Sequence, residues 1–389
     1  MSKDFDMKVN VLPVLTYNFL HVNDSALQIN DINTADMNTP EAKEVPEGVT
    51  LRRKVSFEEA GELFRDSKDR ILCLKKDSVS PNGDTSDRDL SQAVRTGMGA
   101  DVDNFMESMG VYSDIYTAEE GKKIEKPLVI RYDLEDGKSS FSSQVIHAKK
   151  NSEITVIMVY TSEKEAGGYH GVSTRLLAEE GAKINLIKTQ MLGDGFIHFD
   201  DIGGACLEGG KIELIALELG GRKVWNSAYI TLSEKESSFD SNLGYLSRGN
   251  HSLDMNYVAD QRGKKTVSSM KFKGVLMDTA SKTFRGTIDF KNGSSGSVGD
   301  EQEDALLLSD NVINKTMPVI LCQEEDVEGR HGATIGQLGE DLLFYMQTRG
   351  IDEEEAKRIM IKARLESVAR LIPEPEIMQK TEYYIQKII

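Results

Sequence analysis

The sequence is poor in cysteine, proline and tryptophan: its 389 residues include 3 cysteines, 8 prolines and 1 tryptophan. The cysteines, Cys73, Cys206 and Cys322, are odd in number and far apart, which excludes a disulfide framework and fits a reducing compartment. No apolar run approaches the ~18 residues of a membrane span. The opening stretch contains acidic residues and no sustained apolar run, so a signal peptide is not expected. We therefore expect a cytoplasmic protein that makes no contact with membranes.

Positive charge is also scarce. The chain has 47 lysines and arginines against 64 aspartates and glutamates, a net charge of −17. Such a chain repels phosphate backbones, so we do not expect it to bind nucleic acid. A Walker-type GxxxxGK loop, HExxH, CxxC and GxSxG are all missing. The sequence therefore predicts no nucleotide bound by a P-loop, and it gives no motif for catalytic residues.

Short strands dominate the middle of the chain, where helical periodicity is nearly absent from about residue 125 to 330. Alternating or apolar runs are bounded by Gly, Asn, Asp or Ser, a pattern typical of strands. The runs are KPLVIRYDL, SEITVIMVYT, KINLIKTQML, KIELIALEL, AYITLS and LDMNYVAD.

These strands recur with a period. Aligning them puts Ile154, Ile184, Ile212, Phe239 and Val267 at equivalent positions, 27 to 30 residues apart. A propeller blade needs four strands and about 40 residues, whereas units of this length hold two or three strands. The period predicts a mainly β fold, a right-handed parallel β-helix whose rungs bury one another.

Helical patterns flank the repeat. FEEAGELFRDS and TGMGADVDNFMESMG predict short helices before it, and the helical period returns after Gly336. Gly350 and Asp352 predict the end of one helix and the N-cap of the next. That second helix is expected to bury Ala356, Ile359, Met360, Ala363 and Ser367, and a third to bury Ile377, Tyr384 and Ile388. The expected division is an N-terminal mixed region 1–120, a β-helix core 121–335 and a C-terminal helical domain 336–389.

His331 is the one histidine in a ligand-like setting, between Gly329 and Gly332. Imidazole is a common metal ligand, and glycines allow close approach. A histidine bonding backbone at a sheet-to-helix corner explains the residues equally well. Cys322 alternates as an inward strand residue and predicts a buried thiol. The acidic run Glu301, Glu303 and Asp304 predicts solvated charge, and Trp225 predicts packing.

Three stretches resemble the SufB/SufD family of iron–sulfur cluster assembly proteins. HGATIGQLGEDLLFYMQTRGI (331–351) looks like the C-terminal hallmark of that family, and ALLLSDNVINKTMPVILCQEEDV (305–327) resembles its last β-helix rungs. VLPVLTYNFLHVN, near the N-terminus, is similar to a segment of SufD members. The family fold, a right-handed parallel β-helix between helical regions, agrees with the fold expected from the repeat.

The resemblance also implies a subtype and a site. SufB members have a cysteine where this chain has Glu303 and a glutamate where it has Gly332; many SufD members have a cysteine at the position of Gly329. His331 matches the histidine that SufD members keep. The chain thus looks SufD-like, with His331 and Glu303 as candidate metal residues at a partner interface, and no catalytic residue.

The implied role is that of a non-enzymatic component of the SUF complex. The chain would pair with SufB, or with a second copy, through the β-helix, and would bind the SufC ATPase through its C-terminal helices. The iron–sulfur cluster would be transient and shared with the partner, with no nucleotide bound by this chain. Two alternatives remain: a SufB-like homodimeric scaffold that assembles the cluster itself, and a β-helix enzyme acting on polysaccharide.

Overall fold

Two stacked parallel sheets make up most of the molecule. A computed structural model describes residues 4–14, 20–32, 40–42, 44–65 and 94–389. Successive strands alternate between two nine-stranded sheets, so that each turn of the chain adds one strand to each sheet. The result is a parallel β-solenoid of about eight turns with flanking helices, which confirms the predicted fold class. The three-part domain division stays a prediction.

The strands are β1 (Phe5–Val9), β2 (Ser25–Ile29), β3 (Glu41–Ala42), β4 (Val49–Val55), β5 (Ser113–Ala118), β6 (Leu128–Leu134), β7 (Ser140–Ala148), β8 (Glu153–Ser162), β9 (Gly167–Ala178), β10 (Lys183–Met191), β11 (Gly195–Cys206), β12 (Lys211–Glu218), β13 (Lys223–Leu232), β14 (Ser238–Ser247), β15 (Ser252–Gln261), β16 (Val267–Leu276), β17 (Ser281–Phe290), β18 (Ser297–Leu307), β19 (Ile313–Cys322) and β20 (Val327–Gln337). The helices are α1 (Phe57–Arg65), α2 (Ala100–Ser108), α3 (Glu340–Thr348), α4 (Glu353–Ala369) and α5 (Pro375–Ile388). Even-numbered strands from β6 onward form one sheet with β3, and odd-numbered strands from β5 onward form the other with β4.

The predicted repeat corresponds to the rungs. Ile154, Ile184, Ile212 and Phe239 pair in register on β8, β10, β12 and β14, and all point inward. The fifth predicted position is wrong by one residue, because Phe239 pairs with Ser268 and not with Val267. Side chains alternate faces along a strand, so this slip leaves Val267 outside, where it is 47% exposed.

The outer faces of the two sheets are covered by different parts of the chain. The β1–β2 hairpin and α2 pack on the odd-numbered sheet around Phe141, Phe199 and Trp225, which confirms the packing role predicted for Trp225. Helices α4 and α5 cover the even-numbered sheet. Each of these two coverings buries a sheet face that would otherwise expose a row of apolar side chains.

The C-terminal helices begin and end as predicted, but α4 faces the sheet with other residues. Gly350 has φ +84° one position past the C-cap of α3, and the Asp352 carboxylate accepts from the Glu355 amide at 2.9 Å. The predicted buried face of α4 is wrong in part, since Ile359 is 37% exposed. Its buried side chains are Ala356, Ile361, Leu365, Glu366, Val368 and Ala369. Apolar residues occur all around this helix, so the sequence alone does not define its face.

The middle of the solenoid holds a set of buried polar side chains. Lys188 pairs with Asp200, and the Tyr160 hydroxyl donates to the same carboxylate at 3.0 Å. Glu218 accepts from the Asn226 side-chain amide with one oxygen, while its other oxygen has no hydrogen-bond partner within the described structure. All five side chains are almost completely buried. Burial, with the nearby Asp200, raises the pKa of Glu218 to about 8.

Glu218 should make stability depend on pH. Because its pKa is higher in the folded chain than in the unfolded chain, folding retains a proton that the unfolded chain loses. The stabilisation is complete below the unfolded pKa and is lost as the pH rises through about 8. We expect the urea concentration at the unfolding midpoint of the wild type to decrease when the pH is raised from about 5 to about 9. In Glu218→Gln this decrease should be smaller.

The matched control is Glu208→Gln, a carboxyl on an exposed turn. Its pH profile should follow that of the wild type. Identical profiles for wild type and Glu218→Gln would contradict a raised pKa at Glu218.

Candidate functional site

The candidate site lies in the last two rungs of the solenoid. His331 is in the middle of β20, the edge strand of the even-numbered sheet, and not at a corner between sheet and helix. Its register partner on β18 is Glu301, which in turn pairs with the inward-pointing Met270 on β16. His331 therefore occupies an inward-facing position, yet it is exposed because no further strand of the described chain covers it.

Glu303 is buried and fully engaged. One of its oxygens accepts from the Tyr245 hydroxyl at 2.9 Å and from Lys282; the other accepts from the Thr316 hydroxyl at 2.7 Å. Glu303 and Lys282 are 2% and 1% exposed. The expectation of solvated charge is wrong here, because the alternation of β18 turns this carboxylate inward.

The ion pair fits its buried setting. Burial lowers the pKa of Lys282, and the adjacent Glu303 carboxylate opposes that shift. Lys282 also donates to Thr316 at 2.9 Å, so the ammonium group has two acceptors. Burial and the same carboxylate raise the pKa of Tyr245 well above its ordinary value. The Lys282–Glu303 pair and the hydroxyl groups of Tyr245 and Thr316 thus form a closed polar unit. Both oxygens of Glu303 accept hydrogen bonds within it.

Glu301 is the second carboxyl that the sequence reasoning took for solvated charge, and it is 1% exposed. Burial and the adjacent Glu303 raise its pKa to about 8. It lies against Gly286 on the opposite wall, where an added Cβ would be 2.6 Å from its carboxyl carbon. One of its oxygens has no hydrogen-bond partner among the described residues. Asp304, by contrast, faces outward and binds Arg364 of α4 at 3.0 Å.

The structure describes two of the three cysteines, one exposed and one buried. Cys322 is exposed, so the predicted buried thiol is wrong, although its register partner Phe290 does point inward. Its position in the last rung explains both facts, and its thiol donates to the Glu324 carbonyl at 3.0 Å. Cys206 is buried, which raises the pKa of its thiol. Cys73 lies outside the described residues.

The last rung offers an exposed imidazole, that of His331 on β20, and an exposed thiol, that of Cys322 at the end of β19. The Lys282–Glu303 pair of the closed polar unit lies in the rung before it. Within the ranges that the structure describes, no group of three His, Cys, Asp or Glu side chains could hold a metal ion. His331 and Glu303 lie in neighbouring rungs, and both oxygens of Glu303 already accept hydrogen bonds. Sequence reasoning missed Lys282, Tyr245 and Thr316; the one signal for them was a lysine at an alternating inward position of β17.

Fold and site together define a parallel β-solenoid protein with an open last rung that carries a histidine. The family model described as SUF system FeS cluster assembly, SufBD core domain, matches residues 131–364. The chain belongs to this family.

Curated relatives agree with this family. The iron-sulfur cluster assembly protein SufD of Bacillus subtilis (strain 168) is 24% identical over 260 residues, which cover 64% of this chain and 58% of that protein. The chloroplastic SufBD family protein ABCI8 of Arabidopsis thaliana is 24% identical over 243 residues, or 60% of this chain and 44% of that protein. The chain thus spans about half the length of these relatives. They are named as assembly proteins, which associates the chain's family with iron–sulfur clusters.

In the part of the chain that the structure describes, no helix is long and apolar enough to cross a membrane.

The buried ion pair gives a quantitative prediction. Lys282→Met removes the cation and leaves the Glu303 carboxylate buried, which we expect to cost about 3–5 kcal/mol of unfolding free energy. Lys282→Met combined with Glu303→Gln removes both charges and should recover part of that loss. Urea unfolding of the two single variants and the double variant measures the coupling. Strictly additive losses would mean that the two side chains do not form the pair.

Proposed function

We propose that the chain acts as a SufD-like, non-enzymatic component of an iron–sulfur cluster assembly complex. Its substrate is the nascent cluster, which it shares transiently with a homologous SufB-type partner bound at the open end of the solenoid. Cluster assembly would take place in the cytoplasm. The observation that carries the proposal is the open last rung, in which His331 is exposed at an inward-facing position.

The open end offers backbone for pairing. Within the described structure, β19 and β20 each have a neighbour on one side alone, so a row of amide and carbonyl groups on each edge is available to another chain. Ile313 and Ile335, on these two strands, are 54% and 45% exposed. Edge strands with exposed aliphatic side chains favour strand addition by a partner of matching register.

The donors on this end favour a heteromeric cluster site. Imidazole can supply one ligand to iron, whereas a cluster is held mainly by thiolates. The family resemblance puts Glu303 where SufB members have a cysteine, and its two oxygens are occupied by Lys282, Tyr245 and Thr316. This chain would therefore supply His331, and the partner would supply the thiolates.

One observation favours the second candidate, a homodimeric scaffold. Cys322 is exposed in the last rung, so two copies paired end to end would bring two thiols and two imidazoles to one interface. Such a scaffold would form a cluster without a SufB-type partner. Reconstitution of a cluster on the chain alone and on its Cys322→Ser variant separates the two candidates. The homodimeric scaffold should form a cluster that depends on Cys322, whereas the SufD-like role requires neither a cluster on the isolated chain nor Cys322.

The ligand role of His331 is tested in the assembled complex. We expect His331→Ala to lower the iron and acid-labile sulfide that co-purify with the complex, while subunit composition stays unchanged. His331→Cys should retain more cluster than His331→Ala, because a thiolate binds iron and a methyl group does not. His147→Ala is the control, since His147 pairs with Glu179 away from the open end. Undiminished cluster in His331→Ala would leave His331 without a ligand role.

The C-terminal helices are proposed to bind the SufC ATPase. Helix α3 follows β20 directly and exposes Phe344 and Tyr345, which are 69% and 56% exposed. Exposed aromatic side chains on a short helix are typical of an interface anchor.

We expect Phe344→Glu to weaken binding of the ATPase about tenfold or more, as loss of an aromatic anchor does. Tyr383→Glu on α5 is the matched control, because Tyr383 is 68% exposed as well. Titration calorimetry of the two variants gives the comparison. Wild-type affinity in Phe344→Glu would exclude α3 as the interface.

A further inference from the structure

The corner between β12 and β13 is a pair of glycines. It is formed by Gly220 and Gly221, which carry no side chain toward the interior or the surface. A Cβ at Gly220 would lie 1.9 Å from the Leu192 carbonyl oxygen, and Gly221 has φ +81°. The close packing and the left-handed backbone both require glycine. The buried Glu218 precedes this corner by two residues, and Arg222, directly after it, is exposed.

A small cavity lies inside the corner. Its volume is about 10 Å³, and its lining includes the buried Glu218 together with Ser247 and His251. A cavity of this size holds about one water molecule, provided that polar groups are present to bind it. The carboxyl of Glu218, the imidazole of His251 and the hydroxyl of Ser247 meet that requirement.

On the interior side, Glu218 is the group with unused hydrogen-bonding capacity. One of its oxygens accepts from Asn226, which also accepts from Tyr257, and the other oxygen has no partner among the described residues. The charges that act on it are those of Asp200 and Lys188. Its register partners on either side are Gln190 and Tyr245. The Gln190 side chain is taken up by the Gly220 backbone, at 2.7 and 2.8 Å.

On the surface side, His251 belongs to a charged cluster. Its Nε2 is 3.6 Å from the Asp194 carboxylate, which binds Arg248 at 2.8 Å. Burial lowers the pKa of His251, Asp194 and Asp278 oppose that shift, and Arg248 adds to it. The imidazole is therefore neutral near neutral pH and able to accept a proton.

Helix α5 reaches the same corner. The Tyr384 hydroxyl donates to the Leu192 carbonyl at 3.3 Å, and Leu192 is the residue against which Gly220 packs.

We propose that this corner is a one-water proton inlet that connects the buried Glu218 to solvent through His251. When Glu218 loses its proton, the carboxyl O–H bond breaks and the bound water takes that proton. The same water passes one of its other protons to an imidazole nitrogen, which releases it to solvent; uptake follows the reverse order. Atoms and charge balance at each transfer, and no rung has to open.

The inlet gives the buried polar set a property that burial alone would deny it. Lys188 and Asp200 are 1% and 0% exposed, and without an inlet their neighbour Glu218 could exchange its proton only when the strands separate. With the inlet, the charge of Glu218 follows the external pH while the rungs stay closed.

The test is hydrogen–deuterium exchange of the Glu218 carboxyl, followed by infrared spectroscopy of the full-length chain at neutral pH. The carbonyl stretch of the protonated acid is assigned as the band that Glu218→Gln removes. In the wild type this band should shift to its deuterated position well before the backbone amides of β12 exchange. Nuclear magnetic resonance measures the exchange of those amides. His251→Phe should slow the shift about tenfold or more, since a positioned acid–base group has been removed.

Two further variants make the outcome decisive. His251→Gln keeps a polar group that can hold the water but does not titrate, and it also serves where the phenylalanine variant is less stable. His147→Phe is the control for loss of a histidine elsewhere on a solenoid corner. Slow exchange in both His251 variants and wild-type exchange in His147→Phe support the inlet. Wild-type rates in His251→Gln, carboxyl exchange no faster than that of the β12 amides, or absence of the protonated band in the wild type would overturn it.

Discussion

Parallel pairing in register between successive rungs is the constraint on which the rest of the structure depends. It turns positions far apart in sequence into columns: Leu186, Leu214, Ser241, Met270, Glu301 and His331 form one inward-facing column from β10 to β20. Each member except His331 lies between the rung before it and the rung after it. The chemistry of a position is therefore set by its column and by how many rungs lie above it, and the same inward face is buried at Met270 and exposed at His331.

Well-packed apolar residues usually stabilise a core at least as well as a buried ion pair does. Stability alone therefore does not explain the polar side chains in such columns. The Lys282–Glu303 pair lies just beneath the open rung. An apolar interior ending there would expose its last layer to water, at a cost that grows with the exposed apolar area. With an ion pair in that place, the open end exposes His331 and Ile335 above a lysine and a carboxylate that already have hydrogen-bond partners. The pair thus makes an uncapped end tolerable.

The sequence predicted what depends on period and on local turns. Strands, their alternation and their spacing follow from the inward faces of the rungs, and Gly350 and Asp352 predicted helix ends because capping is a local property. It failed where a residue on the other sheet or the presence of a further rung decides. Glu303 reads as solvated charge until Lys282, on the other sheet, is known to face it. Cys322 has the inward pattern of a buried residue, and its exposure depends on the absence of a further rung in the described structure.

The two ends of the solenoid differ in a way that bears on function. At the first end, β3 and β4 run antiparallel to β6 and β5 and close the sheets. At the other end, β19 and β20 keep a free edge within the described residues. Free edges invite unspecific pairing, and proteins limit it with charge and proline. Pro318 in β19 and the Glu328–Arg330 pair in β20 have that effect here. An edge protected in this way can still accept a chain that matches its register and charges, and under the proposed function that partner would complete the surroundings of His331.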